Sequence, residues 1–174
     1  SHIGPELGFG LVMGDYFKEP VLLIKTAWGG KSLFADFRPP SSGGTIGPCY
    51  TQMIEEVREA LGELKGKKYE IAGFVWWQGY DDQSEPRATR YEPNLVQFIK
   101  QIRAYYENRY PTRTVKNAPF VLATLATDGG WGNTGAGSAK VASAQLAVDG
   151  GTGKYPEFKG NVKTMEARGL DRKS

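Results

Sequence analysis

Two stretches bring together residue types that could do chemistry. In the first, the apolar run Phe74-Val75-Trp76-Trp77 breaks off at Gln78-Gly79 and is followed at once by Tyr80, Asp81 and Asp82. An amide, a glycine and two carboxylates at the end of a buried run are what a parallel strand delivers to its carboxyl end, where open α/β sheets do their chemistry. In the second, Pro20 to Trp28 is a β-branched and leucine-rich run that opens into Gly29-Gly30-Lys31-Ser32. Paired glycines after a strand let a backbone N–H come close to a ligand oxygen, as stabilisation of an oxyanion requires. A phosphate loop would need a glycine at position 25, which is Lys, so that chemistry is not supported. The bland alternative, a glycine turn with solvated aspartates, stays open at this point.

The elements that must hold these stretches alternate. A short helix is expected over Gly4 to Phe17, entered at Pro5, and a better marked one with Tyr50, Met53, Ile54, Val57, Leu61 and Leu64 on one face and Gly66 after its end. Strands are expected at Pro20–Trp28, Tyr69–Trp77, Pro119–Thr127 and, weakly, Gly160–Glu166. Two further helices are expected, from about Pro93 with Leu95, Phe98, Ile99, Ile102 and Tyr106 buried, and over Ser138–Asp149. Between Pro119–Thr127 and the last helix runs a loop in which glycine recurs around Trp131. Alternation of this kind predicts a parallel sheet covered by helices on both faces, as one domain over residues 1–174.

Composition narrows the function classes. The 22 basic and 19 acidic residues are spread along the chain and leave a formal charge of +3, so neither a nucleic acid nor a membrane is expected as partner. One cysteine, Cys49, and one histidine, His2, rule out an internal disulfide and the usual cysteine- and imidazole-rich metal sites.

The runs Ile3 to Gly10, Lys25 to Leu33 and Trp76 to Asp82, in this order, resemble the sialate O-acetylesterase and carbohydrate esterase family 6 branch of the SGNH (GDSL-like) hydrolases. The resemblance implies a flavodoxin-like three-layer α/β/α fold with a mainly parallel sheet. It also implies removal of acetyl groups from sugar hydroxyls by a serine nucleophile, without a metal or organic cofactor, and with an acetylated carbohydrate as partner. Gly29 and Gly30 match the family's glycine segment, whose N–H donates to the oxyanion. Gln78 to Asp82 match the segment in which Gln78 would donate from its side chain, with Gly79 in the turn and Asp82 shaping the loop. Asp81 stands where the wider family has Asn; a carboxylate beside an oxyanion would repel it, so Asp81 is expected to face away or hold the loop. Family members acting on polysaccharides are extracytoplasmic, which is carried here as an implication only.

The family's nucleophile lies on a first strand upstream of the segment matching Gly4-Pro5-Glu6, and its catalytic Asp and His follow the last strand. Neither has a counterpart in these residues, so the expectation is an oxyanion-side core, near inactive by itself, that lacks the first strand and the C-terminal catalytic segment. That strand would lie between 20–28 and 69–77, and without it the sheet should split or the two should pair directly. Ser32, Ser41, Ser42, Ser84, Ser138 and Ser143 have no histidine in context and read as turn, cap or helix-surface residues. A second hypothesis is a non-catalytic relative in which Trp28, Trp76, Trp77, Tyr80 and Trp131 offer aromatic platforms for sugar rings. A third, a glycosidase using Asp81, Asp82 and Asp128, is weakened because adjacent acids point apart.

Overall fold

The computed structural model describes residues 4–125 and 135–167. Four helices, α1 (Pro5–Tyr16), α2 (Pro48–Glu63), α3 (Arg87–Arg109) and α4 (Ala136–Ala147), accompany three strands, β1 (Phe74–Trp76), β2 (Phe120–Ala123) and β3 (Val162–Met165). The strands form one parallel sheet in the order β1-β2-β3, with Phe74 opposite Phe120 and Phe120 opposite Val162. The parallel sheet is what the alternation predicts, and with its helices it is consistent with the flavodoxin-like α/β fold that the resemblance implies. None of the described helices is long and apolar enough to cross a membrane.

The register puts Phe74, Trp76, Phe120, Leu122, Val162 and Thr164 on one face, since side chains alternate along a strand. That face carries the core. Trp76 packs with its ring centroid 4.3 Å from Phe98 of α3, and Tyr50 of α2 meets the same Phe98 ring at 6.2 Å. Helix α3 buries Tyr91, Leu95, Phe98, Ile99, Ile102 and Tyr106 along one stripe. It begins at Arg87, six residues before the expected Pro93, and carries that proline in its interior at the cost of one i→i−4 hydrogen bond, so the proline did not mark the helix start. Helix α4 is tied to the same face through Thr164 Oγ1, which donates to Gln145 O at 2.6 Å. On the opposite face Val75, Trp77 and Met165 stand more than half exposed.

The strands are shorter than their apolar runs. Tyr69–Trp77 supplies only Phe74–Trp76 plus a bridge from Ile71 to Thr114, and Pro119–Thr127 supplies Phe120–Ala123. Pro20–Trp28, expected as a strand, is not one. It runs without pairing, half-burying Ile24, Thr26 and Trp28 in alternation and leaving Val21, Leu22 and Leu23 exposed. Strand structure needs a neighbour for its N–H and C=O groups, and segment 20–28 does not pair with β1. Neither a split sheet nor direct pairing of 20–28 with 69–77 is seen: the described strands form one sheet, and segment 20–28 stands outside it. Helix α1 buries none of its residues and is linked to the segment by the Lys25–Glu6 ion pair at 2.7 Å.

The α4–β3 connection is fixed by Asp149, 2% exposed. Its carboxylate accepts N–H groups from Gly151, Thr152 and Thr164, each at 2.9 Å, and faces Lys163 at 3.2 Å. Burial pushes this carboxyl up, but the backbone donors together with Lys163 outweigh it and hold the group well below the ordinary aspartate range.

Candidate functional site

The end of β1 turns sharply. Gly79 has φ +153°, and a Cβ there would lie 3.0 Å from both Gln145 Nε2 and Val141 Cγ1, so only glycine lets the strand end press onto α4. A short 3-10 turn over Tyr80–Asp82 follows. It carries Asp82 into the interior, where the residue is fully buried.

Asp82 is the link between the two stretches singled out by sequence. Its Oδ2 accepts the Leu33 N–H at 2.7 Å and the Gln78 Nε2 at 2.6 Å, while Oδ1 accepts the Phe34 N–H at 3.0 Å. Gln78 Nε2 also donates to Lys31 O at 3.0 Å. The turn after Gly29-Gly30 is thus clasped to the end of β1. Burial raises the Asp82 carboxyl above its usual range in spite of these donors.

A second carboxylate shapes the turn from within. Asp36 accepts Ser32 N at 2.9 Å and Ser32 Oγ at 3.0 Å and pairs with Lys31 at 3.3 Å. Burial pushes the Asp36 carboxyl up, and these bonds more than offset it, leaving the group below its ordinary value. With both Ser32 and Lys31 so engaged, neither a nucleophile nor a phosphate-binding lysine is presented here.

Gly29 and Gly30 lie at the open end of this clasp. Both are exposed, Gly30 has φ +66°, and a Cβ on either would meet nothing within 4 Å. Their N–H groups have no acceptor among the described residues. They are free to donate outward, the requirement for receiving a developing oxyanion. Gln78 differs, since its Nε2 already serves two acceptors while its Oε1 is buried without a partner. To donate to a substrate oxygen it would have to release Lys31 O.

Behind the strand end stand two residues that sequence reasoning did not single out. Tyr91 Oη donates to Gln78 O at 2.9 Å, and Gln145 Nε2 donates to the same carbonyl at 2.9 Å while its Oε1 accepts Leu125 N at 2.8 Å. Both side chains are fully buried, and burial pushes the Tyr91 hydroxyl well above its usual range. The alanine-rich run of α4 does not distinguish its faces, so no sequence signal marked Gln145 as inward.

The remaining candidates divide. Trp77 and Tyr80 are each 60% exposed at the end of β1. Trp28 is half-buried, 5.8 Å from Phe37. Asp81 is half-buried, and its main-chain carbonyl accepts Arg87 Nη1 at 2.9 Å. Trp131 and Asp128 lie outside the described residues. For the glycosidase reading, the Asp82 carboxylate is already occupied by three donors and is not offered to a substrate.

The whole chain, residues 1–174, matches the carbohydrate esterase family of sialic acid-specific acetylesterases. The chain belongs to that family. Among solved structures, this esterase-family chain is similar to a protein from Arabidopsis thaliana, with 24% identity and a TM-score of 0.67. The match covers 99% of this chain and 59% of the Arabidopsis chain, and it speaks for the shared fold. No curated protein sequence matches the chain. Membership places the α/β fold and the clasped strand ends within a family of carbohydrate ester hydrolases.

Proposed function

We propose that this chain forms the oxyanion-binding side of a carbohydrate O-acetylesterase that removes acetyl groups from sugar hydroxyls by serine attack. The observation that carries the reading is the buried Asp82 clasp, which holds the Lys31–Phe34 turn to the end of β1 next in sequence to Gly29 and Gly30, whose N–H groups have no acceptor among the described residues. In ester cleavage the carbonyl oxygen gains charge in the tetrahedral intermediate, and preorganised N–H donors stabilise it without reorganising. Gln78 acts first as a positioning residue for the Lys31–Phe34 turn.

Among the described residues no serine stands beside a histidine, and the chain's one histidine, His2, is not among them. An oxyanion hole and binding without the nucleophile–base pair supply about 10³ to 10⁴ over water, whereas losing that pair costs on the order of 10⁴ to 10⁶ in turnover. The 174 residues are therefore expected to be near inactive as an isolated chain. The test is acetate release from 4-nitrophenyl acetate and an acetylated xylo-oligosaccharide. These 174 residues would be run beside the chain carrying whatever its gene encodes on either side. Turnover confined to the longer chain, and reduced by Asp82→Ala, supports the proposal. Equal turnover by both would mean that a nucleophile within these residues has been overlooked.

A second reading, a carbohydrate-binding relative without catalysis, is favoured by the exposure of Trp77 and Tyr80, both just past the end of β1. Binding of the acetylated oligosaccharide by the longer chain, with no acetate released, would select it.

A further inference from the structure

The turn clasped by Asp82 also forms one wall of a pocket. Phe34, whose N–H bonds Asp82, lines this cavity of about 370 Å³ together with Arg38, Ser42, Gly44, Arg90 and Asn94. Two guanidinium groups line it and no carboxylate does. Arg38 is held by its Nε, which donates to Phe34 O at 2.6 Å, and by stacking 4.8 Å over the Phe34 ring. Its terminal nitrogens have no acceptor among the described residues. A Cβ on Gly44 would lie 2.7 Å from Arg38 Nη1, so the glycine, at φ +73°, makes room for the guanidinium.

Arg90 reaches the pocket from α3 and makes neither a side-chain hydrogen bond nor an ion pair among the described residues. No carboxylate there compensates either arginine. Ser42 Oγ lies buried with no hydrogen-bond partner among the described residues. The Gly44 N–H has no acceptor among them either. Buried polar groups are nearly always satisfied, so an unpaired hydroxyl beside two uncompensated guanidiniums describes a site for an acceptor that the described fold does not supply.

We infer that this pocket binds a phosphate group. Charge and oxygen count decide the class. A phosphate monoester carries about −1.5 to −2 at pH 7 and offers three terminal oxygens, so one group can neutralise both arginines and still accept from the Ser42 hydroxyl. A carboxylate, with one charge and two oxygens, would leave a guanidinium or the hydroxyl unmatched. The planar, permanently charged fork of arginine is suited to phosphate oxygens, and the Arg38 fork is already oriented by Phe34. The volume is near the lower end of small-molecule clefts, about 300 to 1,000 Å³, so an organic group esterified to the phosphate fits as well as the bare ion. This anion chemistry does not rest on the ester cleavage proposed above, since neither Gly29, Gly30 nor Gln78 lines the pocket.

The test is equilibrium binding by isothermal calorimetry and amide chemical shifts at low ionic strength and pH 7. The probes are inorganic phosphate, glucose 6-phosphate and, as a carboxylate of single charge, acetate, each added to the 174-residue chain. At least one of the two phosphates should bind about tenfold or more tightly than acetate, with shifts at the amides of Phe34, Arg38 and Gly44. Tighter binding of glucose 6-phosphate would assign the pocket to an organic phosphate, and binding of inorganic phosphate as tightly or more so would assign it to the free ion. Arg90→Gln, which breaks no hydrogen bond or ion pair among the described residues, should weaken that binding about tenfold at unchanged Tm. Ser42→Ala should weaken it about fivefold. Equal affinity for acetate, unaltered affinity in Arg90→Gln, or no binding of either phosphate would overturn the assignment. Because none of these readouts uses turnover, loss of esterase activity in the longer chain would count against the proposed function alone.

Discussion

Replacing Asp82 by alanine removes the acceptor for three donors at once: the N–H groups of Leu33 and Phe34 and the Nε2 of Gln78. A hydrogen bond to a charged group contributes about 1.5 to 3 kcal/mol, so the gross loss is roughly 4 to 9 kcal/mol. Burying a carboxylate opposes this by several kcal/mol, and that penalty vanishes in the variant. The net expectation is a loss of about 2 to 4 kcal/mol out of the 5 to 15 typical of a domain. At roughly 2 to 4 °C per kcal/mol for this chain length, Tm should fall by about 4 to 16 °C. Asp82→Asn, which keeps one oxygen, should lose less. Urea unfolding with an unchanged m-value reads the total, and amide exchange at Leu33 and Phe34 reads the clasp locally. A pH series adds a sign. With the folded carboxyl raised above its ordinary 3.8, the folded state holds more protons than the unfolded one just above that pH. Stability from this group is therefore full below 3.8 and is lost as pH rises through the folded pKa, so the gap between native protein and Asp82→Ala should narrow with rising pH. A change under about 0.5 kcal/mol, within the scatter of surface substitutions, would refute the view that this carboxylate holds the site together.

Asp149 carries the opposite sign. Its lowered folded pKa means that the stability it contributes is full above the unfolded value of 3.8 and is lost as pH falls through the folded value, so Asp149→Asn should flatten the acid limb of a urea-midpoint series. Gly137→Ala would set a Cβ 1.6 Å from Gln83 O, and a loss of about 1 to 3 kcal/mol is expected in chemical denaturation as α4 backs away from that loop. Trp76→Ala should destabilise by about 3 to 5 kcal/mol, whereas exposed Trp77→Ala should alter stability little and instead weaken binding of a neutral xylo-oligosaccharide, measured by fluorescence titration. The edge of β1 left unpaired in the sheet, with Val75 exposed on that strand and Leu22 exposed on segment 20–28, should make the chain associate with rising concentration, and Val75→Lys should reduce that in sedimentation velocity.

The α2 and α3 stripes were legible because aliphatic and aromatic residues recur there at helical spacing. Strand lengths were not, since they depend on neighbours: Pro20–Trp28 has the composition of a strand and lacks a pairing partner among the described residues. Run ends pointed to Gly29, Gly30, Gln78 and Asp82 as candidates, and only the family resemblance grouped them; the structure joins their two segments through Asp82 and Gln78. That Gln78 spends both amide protons on Lys31 O and Asp82 could not be read, because a side-chain amide leaves no trace of its partner in sequence. Tyr91 and Gln145 stayed hidden for a related reason. Alanine barely distinguishes the faces of α4, so nothing marked Gln145 as inward, and Tyr91 lay ahead of the helix expected from about Pro93.

The bonds of the Asp82 clasp to Leu33 and Phe34 and of Gln78 to Lys31 join residues 47 to 49 apart in sequence. Contacts that close so long a loop lose chain entropy before they return any binding, and they belong among the last to form. The site should then have φ-values near zero, so that loosening it hastens unfolding and leaves the folding rate almost untouched. The donors proposed for a substrate would come into register only when the chain has otherwise finished folding, and half-folded copies would lack the proposed oxyanion-binding arrangement.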